Sequence, residues 1–273
     1  MTGSGAVQNP SICRRRTHAI QSNEPIEAEY RERAGCCMHR IIKLDGWSLP
    51  VVKSVTHTTF EKGGVTLFRP DGCWDFVIMK NAAGTLVLRT GLTTTTVPHR
   101  FSHGDEILAI AFKASAYMPL MPGERMRDEG VALQMIGRNR FRLGADVLEV
   151  PTLDTVDSFV GTLLRKSIVE NNALVASLIS GHPMAMSERT LQRHFLKTTG
   201  LTYKAFTQIE RAQKATALLQ QGRSAADVAF ALGYADQPHM IRSLKAIMGN
   251  TPRQIVEPRE IVGNLQSSSP SAG

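Results

Sequence analysis

Residues 225–252 read AADVAFALGYADQPHMIRSLKAIMGNTP, two short helical signals joined by a glycine turn. Ser224 can cap a helix from Ala225 to Leu232, and Asp227 in its first turn suits the positive end of the helix dipole. Val228, Ala229 and Leu232 fall on one stripe, and Gly233 stands where a left-handed residue ends a helix. Asp236 caps the next helix. Pro238 in its first turn costs no hydrogen bond, since that amide has no partner inside a helix. Met240, Leu244 and Ile247 face the first helix, which leaves Gln237, His239, Arg242 and Ser243 outward. Small Ala229 lets the two helices approach closely. This pattern is a helix-turn-helix, whose second helix fits a major groove.

Upstream, the segment from Ser187 to Thr202 carries the same plan as Asp236 to Thr251, at an offset of 49 residues. Ser187 answers Asp236, Leu191 answers Met240, Arg193 answers Arg242, Phe195 answers Leu244, Gly200 answers Gly249 and Thr202 answers Thr251. In the first copy Leu191 and Phe195 face inward, while Arg189, Gln192, Arg193 and Lys197 face out. Arginine can bind guanine, and glutamine adenine, through paired hydrogen bonds. Half or more of the contacts at such interfaces go to phosphates, and Lys197 and Lys245 suit that role. Between the copies, Thr202 caps a long helix from Tyr203 to Gln220 with Gly222 after it. Its stripe is Phe206, Ile209, Ala212, Ala215/Thr216 and Leu219, so it forms a rigid spacer between two reading helices.

These residues carry a resemblance. The stretch 171–256 resembles the DNA-binding domain of the AraC/XylS family of bacterial transcription regulators, through Ser187 to Phe195, Gly200, Arg211 to Leu219 and the whole of Ala225 to Pro252. The resemblance implies that Arg189, Gln192 and Arg193 in the first helix, and Gln237, His239 and Arg242 in the second, contact base edges. The chain departs from the family pattern in lacking an aromatic at Leu244, in placing Pro238 where a polar reader is common, and in a long turn from Ser180 to Met186.

The half before this domain is strand-like. Short β-branched runs recur at Val51–Val55, Val65–Phe68, Phe76–Met79, Leu86–Leu88, Thr93–Val97 and Ile107–Phe112. Turn signals separate them at 62–64, 70–72, 81–84 and 103–105. Many short strands at this spacing predict an antiparallel β-barrel or sandwich. Residues 114–150 read as irregular, and 153–169 as a connecting helix with Val156, Val160, Leu163 and Ser167/Ile168 on its stripe. Strands followed by helices make an α+β multidomain chain, with an all-α domain bearing two helix-turn-helix modules at its end. The run Arg69 to Ile78, with Pro70-Asp71-Gly72-Cys73, resembles a motif in the cupin-like sensor domains of some AraC/XylS members. In that family such domains bind a small effector, dimerise, or both. From the residues themselves, Trp74 and Phe76 read first as core side chains on one strand face.

The expected division is an arm without regular structure at 1–37, a cupin-like sensor or dimerisation domain at 38–150 and a connecting helix within 151–170. The DNA-binding domain then runs over 171–262, with a Ser/Pro/Gly tail at 263–273. Met38 is an alternative start. The net charge is +8, and it concentrates at the end: residues 171–262 hold 11 Lys/Arg against 6 Asp/Glu, and 38–150 hold 14 against 11. Cys13, Cys36, Cys37 and Cys73 have no CxxC spacing, which argues against a disulfide framework. No apolar run approaches the ~18 residues of a membrane span, and no signal peptide is evident, so the expectation is a cytoplasmic protein.

His57, His99 and His103 with Asp105 or Glu106 are the residues from which a metal site would be built, but their spacing does not fit the H-x-H pair of metal-binding cupins. No catalytic, metal or cofactor assignment is made. The function expected is a sequence-specific, effector-responsive DNA-binding transcription regulator, not an enzyme, that reads two adjacent major-groove segments. Its partners would be double-stranded DNA, with RNA polymerase, a small-molecule effector and a second copy of the chain as further candidates. The competing readings are a cupin-type metalloenzyme and an architectural DNA binder without sequence preference.

Overall fold

Alternating burial along the strands of the first half sets its layers. The computed structural model describes residues 26–34, 37–45, 50–182 and 186–256. Strands β1 (Ile26–Ala34), β2 (Cys37–Asp45), β3 (Val52–Phe60), β4 (Gly64–Phe68), β5 (Cys73–Asn81), β6 (Gly84–Thr90), β7 (Val97–Phe101) and β8 (Glu106–Lys113) come first. Shorter strands follow: β9 (Ala116–Tyr117), β10 (Gly130–Ala132), β11 (Arg140–Leu143) and β12 (Asp146–Glu149). Seven strands form one sheet in the order β1-β2-β3-β8-β5-β6-β10, antiparallel throughout. β4 pairs with β7, and β11 with β12, as separate ribbons.

Period-two alternation gives this sheet two different faces. Trp74, Phe76 and Ile78 of β5, with Leu108, Ile110 and Phe112 of β8, enter the main core. The opposite positions Val77, Met79, Ile107 and Ala109 pack against Phe60 and Phe101, which stack at 3.8 Å and belong to β3 and the ribbon strand β7. Trp74 lies flat on Phe112 at 4.2 Å and donates its indole N–H to the Ala116 carbonyl. Both Trp74 and Phe76 are therefore core residues, each almost wholly buried.

Beside Trp74 is a buried polar knot. The Arg89 guanidinium sits 4.5 Å from the Trp74 ring and donates to the carbonyls of Thr90 and Met121, while its Nε finds no partner. Burial lowers Arg89 to about 10, an effect that the nearby Asp75 carboxylate partly offsets. Burial, helped by Asp71, pushes Asp75 well above the ordinary carboxylate range.

The helical half begins with α1 (Val156–Arg165), preceded by a 3-10 turn at Leu153–Thr155. Val156, Phe159, Val160 and Leu163 bury its stripe in the main core. Next come β13 (Glu170–Asn171), which pairs with β9, then α2 (Ala173–Ile179), α3 (Glu188–Thr199), α4 (Tyr203–Gln220), α5 (Ala225–Ala231), α6 (Gln237–Met248) and α7 (Pro252–Val256). An antiparallel, sheet-rich region is thus followed by a helical domain ending in helix-turn-helix modules. Among the described residues no helix is long and apolar enough to cross a membrane.

Several expectations need correction. The stretch expected to be an arm without regular structure contains β1, whose pattern Ile-Glu-Ala-Glu-Tyr-Arg-Glu-Arg-Ala is polar enough to hide its alternation; residues 1–25 and the 263–273 tail lie outside the described residues. Thr93–Val97 is not a strand; the pairing starts at Val97, and Thr94 instead donates from its amide and hydroxyl to Asp128. Residues 114–150 hold four short strands. The connecting helix stops at Arg165, because Ser167 takes a left-handed φ of 52° and turns the chain toward β13.

Candidate nucleic-acid interface

Capping side chains place both outward helices. The Ser187 hydroxyl accepts from the Thr190 amide at the start of α3, and Asp236 accepts from the His239 amide at 2.6 Å at the start of α6. Gly200 and Gly249 end them in left-handed conformation, with φ of 79° and 72°. Thr202 and Ser224 cap α4 and α5 in the same way. Each cap is worth about 1 kcal/mol and fixes where a helix begins, so the side chains beyond it project at defined angles.

On α3 the buried residues are Phe195, Thr198 and Thr199, while Arg189, Gln192, Arg193 and Lys197 are exposed. Phe195 meets the rings of Tyr203 and Phe206 edge-on, each at 5.3 Å. The Gln192 amide donates to the Glu188 carboxylate one turn earlier. Arg193, His194 and Lys197 line a depression of about 340 Å³ beside this helix. His194 is half-buried there, a basic-side-chain neighbour that outward periodicity alone did not single out.

On α6 the buried residues are Met240, Leu244 and Met248, while Gln237, Arg242 and Lys245 are exposed. His239 differs from its expected outward placement. Its ring is half-buried and stands edge-on to Tyr234 at 5.4 Å, and its Nδ1 accepts from the Ala235 amide at 3.4 Å. Tyr234 in turn carries the Arg211 guanidinium over its ring at 4.2 Å. Arg211, Tyr234 and His239 thus stack across the turn between α5 and α6. The sequence signal for this stack was the aromatic directly after Gly233, which fastens the turn.

Helix α4 serves two cores. Phe206 and Ile209 belong to the same apolar cluster as Phe195, Leu201 and the sheet residues Trp74 and Phe76. Farther along, Ala212, Ala215 and Leu219 belong to a second cluster with Val228, Ala229, Met240, Leu244 and Met248. The helix also touches the sheet region directly: the Gln213 amide donates to the Pro70 carbonyl at 2.8 Å, and Gly72 leaves room for the Phe206 ring.

The end of α3 is held more tightly still. A β-carbon on Gly123, in the turn after β9, would lie 2.1 Å from the Thr198 carbonyl oxygen, and one on Gly200 would lie 2.3 Å from the Gly123 carbonyl oxygen. Only bare backbone fits on both sides. Asn172 adds a hydrogen bond from its amide to Thr198 while capping α2 with its carbonyl oxygen. The long turn expected over Ser180 to Met186 lies partly outside the described residues.

The histidines considered for a metal are spread apart. His57 is 3.8 Å from Glu106, His103 contacts the Glu61 carbonyl, and His99 lies beside the Phe68 ring. Among the described residues no three His, Cys, Asp or Glu side chains come together in a way that could hold a metal ion.

Residues 182–257 match the helix-turn-helix domain family. No curated protein matches the chain. Solved structures of ToxT from Vibrio cholerae are similar over most of the length. One has 7% identity, covering 74% of this chain and 96% of that one at a TM-score of 0.39. Another has 8% identity, with 76% and 97% covered at a TM-score of 0.36. A third, bound to (E)-4-(8-methylnaphthalen-1-yl)but-3-enoic acid, has 9% identity, with 74% and 97% covered at 0.33.

Proposed function

We propose that the chain is a DNA-binding transcription regulator of the AraC type that reads sequence through α3 and α6, within the helix-turn-helix match at 182–257, at two adjacent major-groove segments. The observation that carries this is the shared spacer. One uninterrupted helix, α4, is built into the cores behind both reading helices. At 1.5 Å per residue its 18 residues span about 27 Å, close to the ~34 Å between successive major-groove faces on one side of a duplex. A modest bend of the DNA closes the remainder.

Arg189, Arg193 and Arg242 are the base readers in this reading, with Gln192 and Gln237 beside them. Lys197 and Lys245 grip phosphates. Gln192 must leave Glu188 before it can reach a base. His239 contributes by holding the Tyr234 stack, which sets the angle of α6, and its contact with DNA is secondary. The region 171–262 is the DNA-binding unit, and 38–150 the regulatory one. A small effector bound to the sheet region would act through the shared apolar cluster and through Gly123, Pro70 and Thr96, three points at which that region touches the helices.

Footprinting on the DNA upstream of the chain's own gene, at several salt concentrations, tests the reading. Arg242→Ala should weaken specific binding far more than binding to random duplex, by the roughly 1–3 kcal/mol of a bidentate base contact. Lys197→Ala should weaken both alike and flatten the salt dependence. Equal losses on operator and random DNA for Arg242→Ala would remove α6 as a sequence reader.

A further inference from the structure

Glu188 is the first residue of α3, and the 49-residue offset of the repeat sets it against Gln237, the first residue of α6. Both side chains are exposed. Gln237 stands beside the base readers of the second helix, so the same place on the first helix is a reading place as well. Its occupant is the only acid on either helix.

The carboxylate is not used to start the helix. The Ser187 hydroxyl accepts from the Thr190 amide, and Glu188 instead accepts from the side-chain amide of Gln192, one turn on, at 2.9 Å. A carboxylate only accepts hydrogen bonds. Brought up to DNA, it meets phosphates and the acceptor atoms of guanine and thymine, all of which repel it. The base-edge donors of the major groove are the amino groups of cytosine and adenine, and adenine sets its N7 acceptor beside its amino group. Cytosine presents its N4 amino group with no acceptor of its own alongside. When Gln192 turns from Glu188 to a base, the carboxylate loses its donor, and a cytosine amino group replaces it.

We propose that Glu188 is a specificity-determining residue of α3, which selects cytosine one or two base pairs from the adenine read by Gln192. Four residues of helix cover about 6 Å, against ~3.4 Å per base pair, and this sets the spacing. The proposal rests on the reading of α3 as a base-reading helix.

Selection of bound sequences from a pool of duplexes with a randomised stretch tests it, using the full chain and three variants. The wild type should favour adenine at one position and cytosine one or two pairs away, each about tenfold. Gln192→Ala should level the adenine position and keep the cytosine. Glu188→Ala should level the cytosine position and keep the adenine. Glu188→Gln should turn the cytosine position to adenine, because glutamine pairs with the adenine N6 and N7. This nearly isosteric variant decides the matter should Glu188→Ala fail to fold. The proposal is overturned if the Glu188 variants select the same sequences as the wild type, or if they strengthen binding to every duplex alike. It is also overturned if the position they alter held a base other than cytosine, or if no adenine within two pairs responds to Gln192→Ala. A wild type with no preferred sequence would remove the base-reading role of α3 and α6 together with this proposal. A sharp wild-type preference that the Glu188 variants leave intact would remove this proposal alone.

Discussion

Phe195 and Leu244 hold equivalent places in the two copies of the repeat, and both are fully buried, yet they belong to different cores. Phe195 shares its cluster with the tryptophan and phenylalanines of the sheet, whereas Leu244 packs only among α4, α5 and α6 and their neighbours. The first reading helix is therefore continuous with the sheet region in its packing, and the fully buried residues of the second stand on a core of their own, with the half-buried Ile247 bridging the two. Two copies of one sequence plan have acquired different mechanical partners. A change in the sheet region would reach α3 through fully buried side chains, and would reach α6 through the far half of α4, the half-buried Ile247 and a few polar contacts.

The largest effect should come from cutting into the shared core. Phe195→Ala should cost about 3–5 kcal/mol, and Leu244→Ala somewhat less, as large-to-small core changes do. The sharper difference is where the loss appears. Hydrogen exchange should show amides of β5 and β8 losing protection in Phe195→Ala, while Leu244→Ala should loosen α5 to α7 and leave the sheet unchanged. Equal loosening of β8 by both variants would break the contrast.

The paired glycines make the next comparison. Gly200 and Gly249 end the two reading helices with nearly the same backbone, so a substitution by alanine carries the same left-handed strain in each. Their surroundings differ: a β-carbon meets the Gly123 carbonyl oxygen at 2.3 Å at Gly200, but only the Thr96 side chain at 3.4 Å at Gly249. Gly200→Ala should cost about 3 kcal/mol, strain plus clash, and Gly249→Ala about 1 kcal/mol, strain alone. Denaturant midpoints of the two variants read this directly, and closely similar shifts would mean that the turn at Gly123 yields.

Much of the helical half was legible because its signals are local. Ser187, Thr202, Ser224 and Asp236 all make the capping bonds their positions imply, and the stripe of α4 is buried from Phe206 to Leu219. What the residues could not convey is which surface receives an apolar stripe. Phe206 and Ile209 read the same whether they face a helix or a sheet. The fold-back of His239 depended on Tyr234 arriving beneath it, a tertiary event with no periodicity of its own. In the sheet region β5, β6 and β8 declared themselves by β-branched runs, whereas β1 is rich in Glu and Arg, and β7 begins Val-Pro-His, so composition concealed both. Of the sites, exposure of Arg189, Arg193, Arg242, Lys197 and Lys245 followed from period alone. The backbone contact of Gly123 with Thr198 and Gly200 could not, since a Pro-Gly pair in a polar stretch reads only as a turn.

The second module's few ties to the sheet region define a smaller test. The Thr96 hydroxyl donates to the Ile247 carbonyl, and the Gln213 amide to the Pro70 carbonyl. Thr96→Val and Gln213→Ala should each cost about 1 kcal/mol, and their losses should add if the two contacts act separately. Urea unfolding of both singles and the double measures the coupling. A double variant markedly more stable than the sum would mean that the two ties already work as one unit.

The smallest effect tests the joint where the chain passes from strands to helices. Tyr117 of β9 donates its phenolic hydrogen to the Glu170 carboxylate of β13, and that bond, aided by burial and the negative charge, raises the Tyr117 pKa above its ordinary value. A raised folded-state pKa means that the contribution is fully present below the unfolded tyrosine's pKa of about 10 and is lost as pH rises through the higher folded value. Tyr117→Phe should therefore cost under about 1 kcal/mol at neutral pH, the pair being partly open to solvent. Between wild type and variant, the difference in melting temperature should stay constant from pH 7 to about 9 and shrink only above about 10, where the phenol ionises. A difference that grew with alkaline pH would mean that the hydrogen bond to Glu170 is not what holds β9 to β13, and that the shared core around Phe195 supports this joint without it.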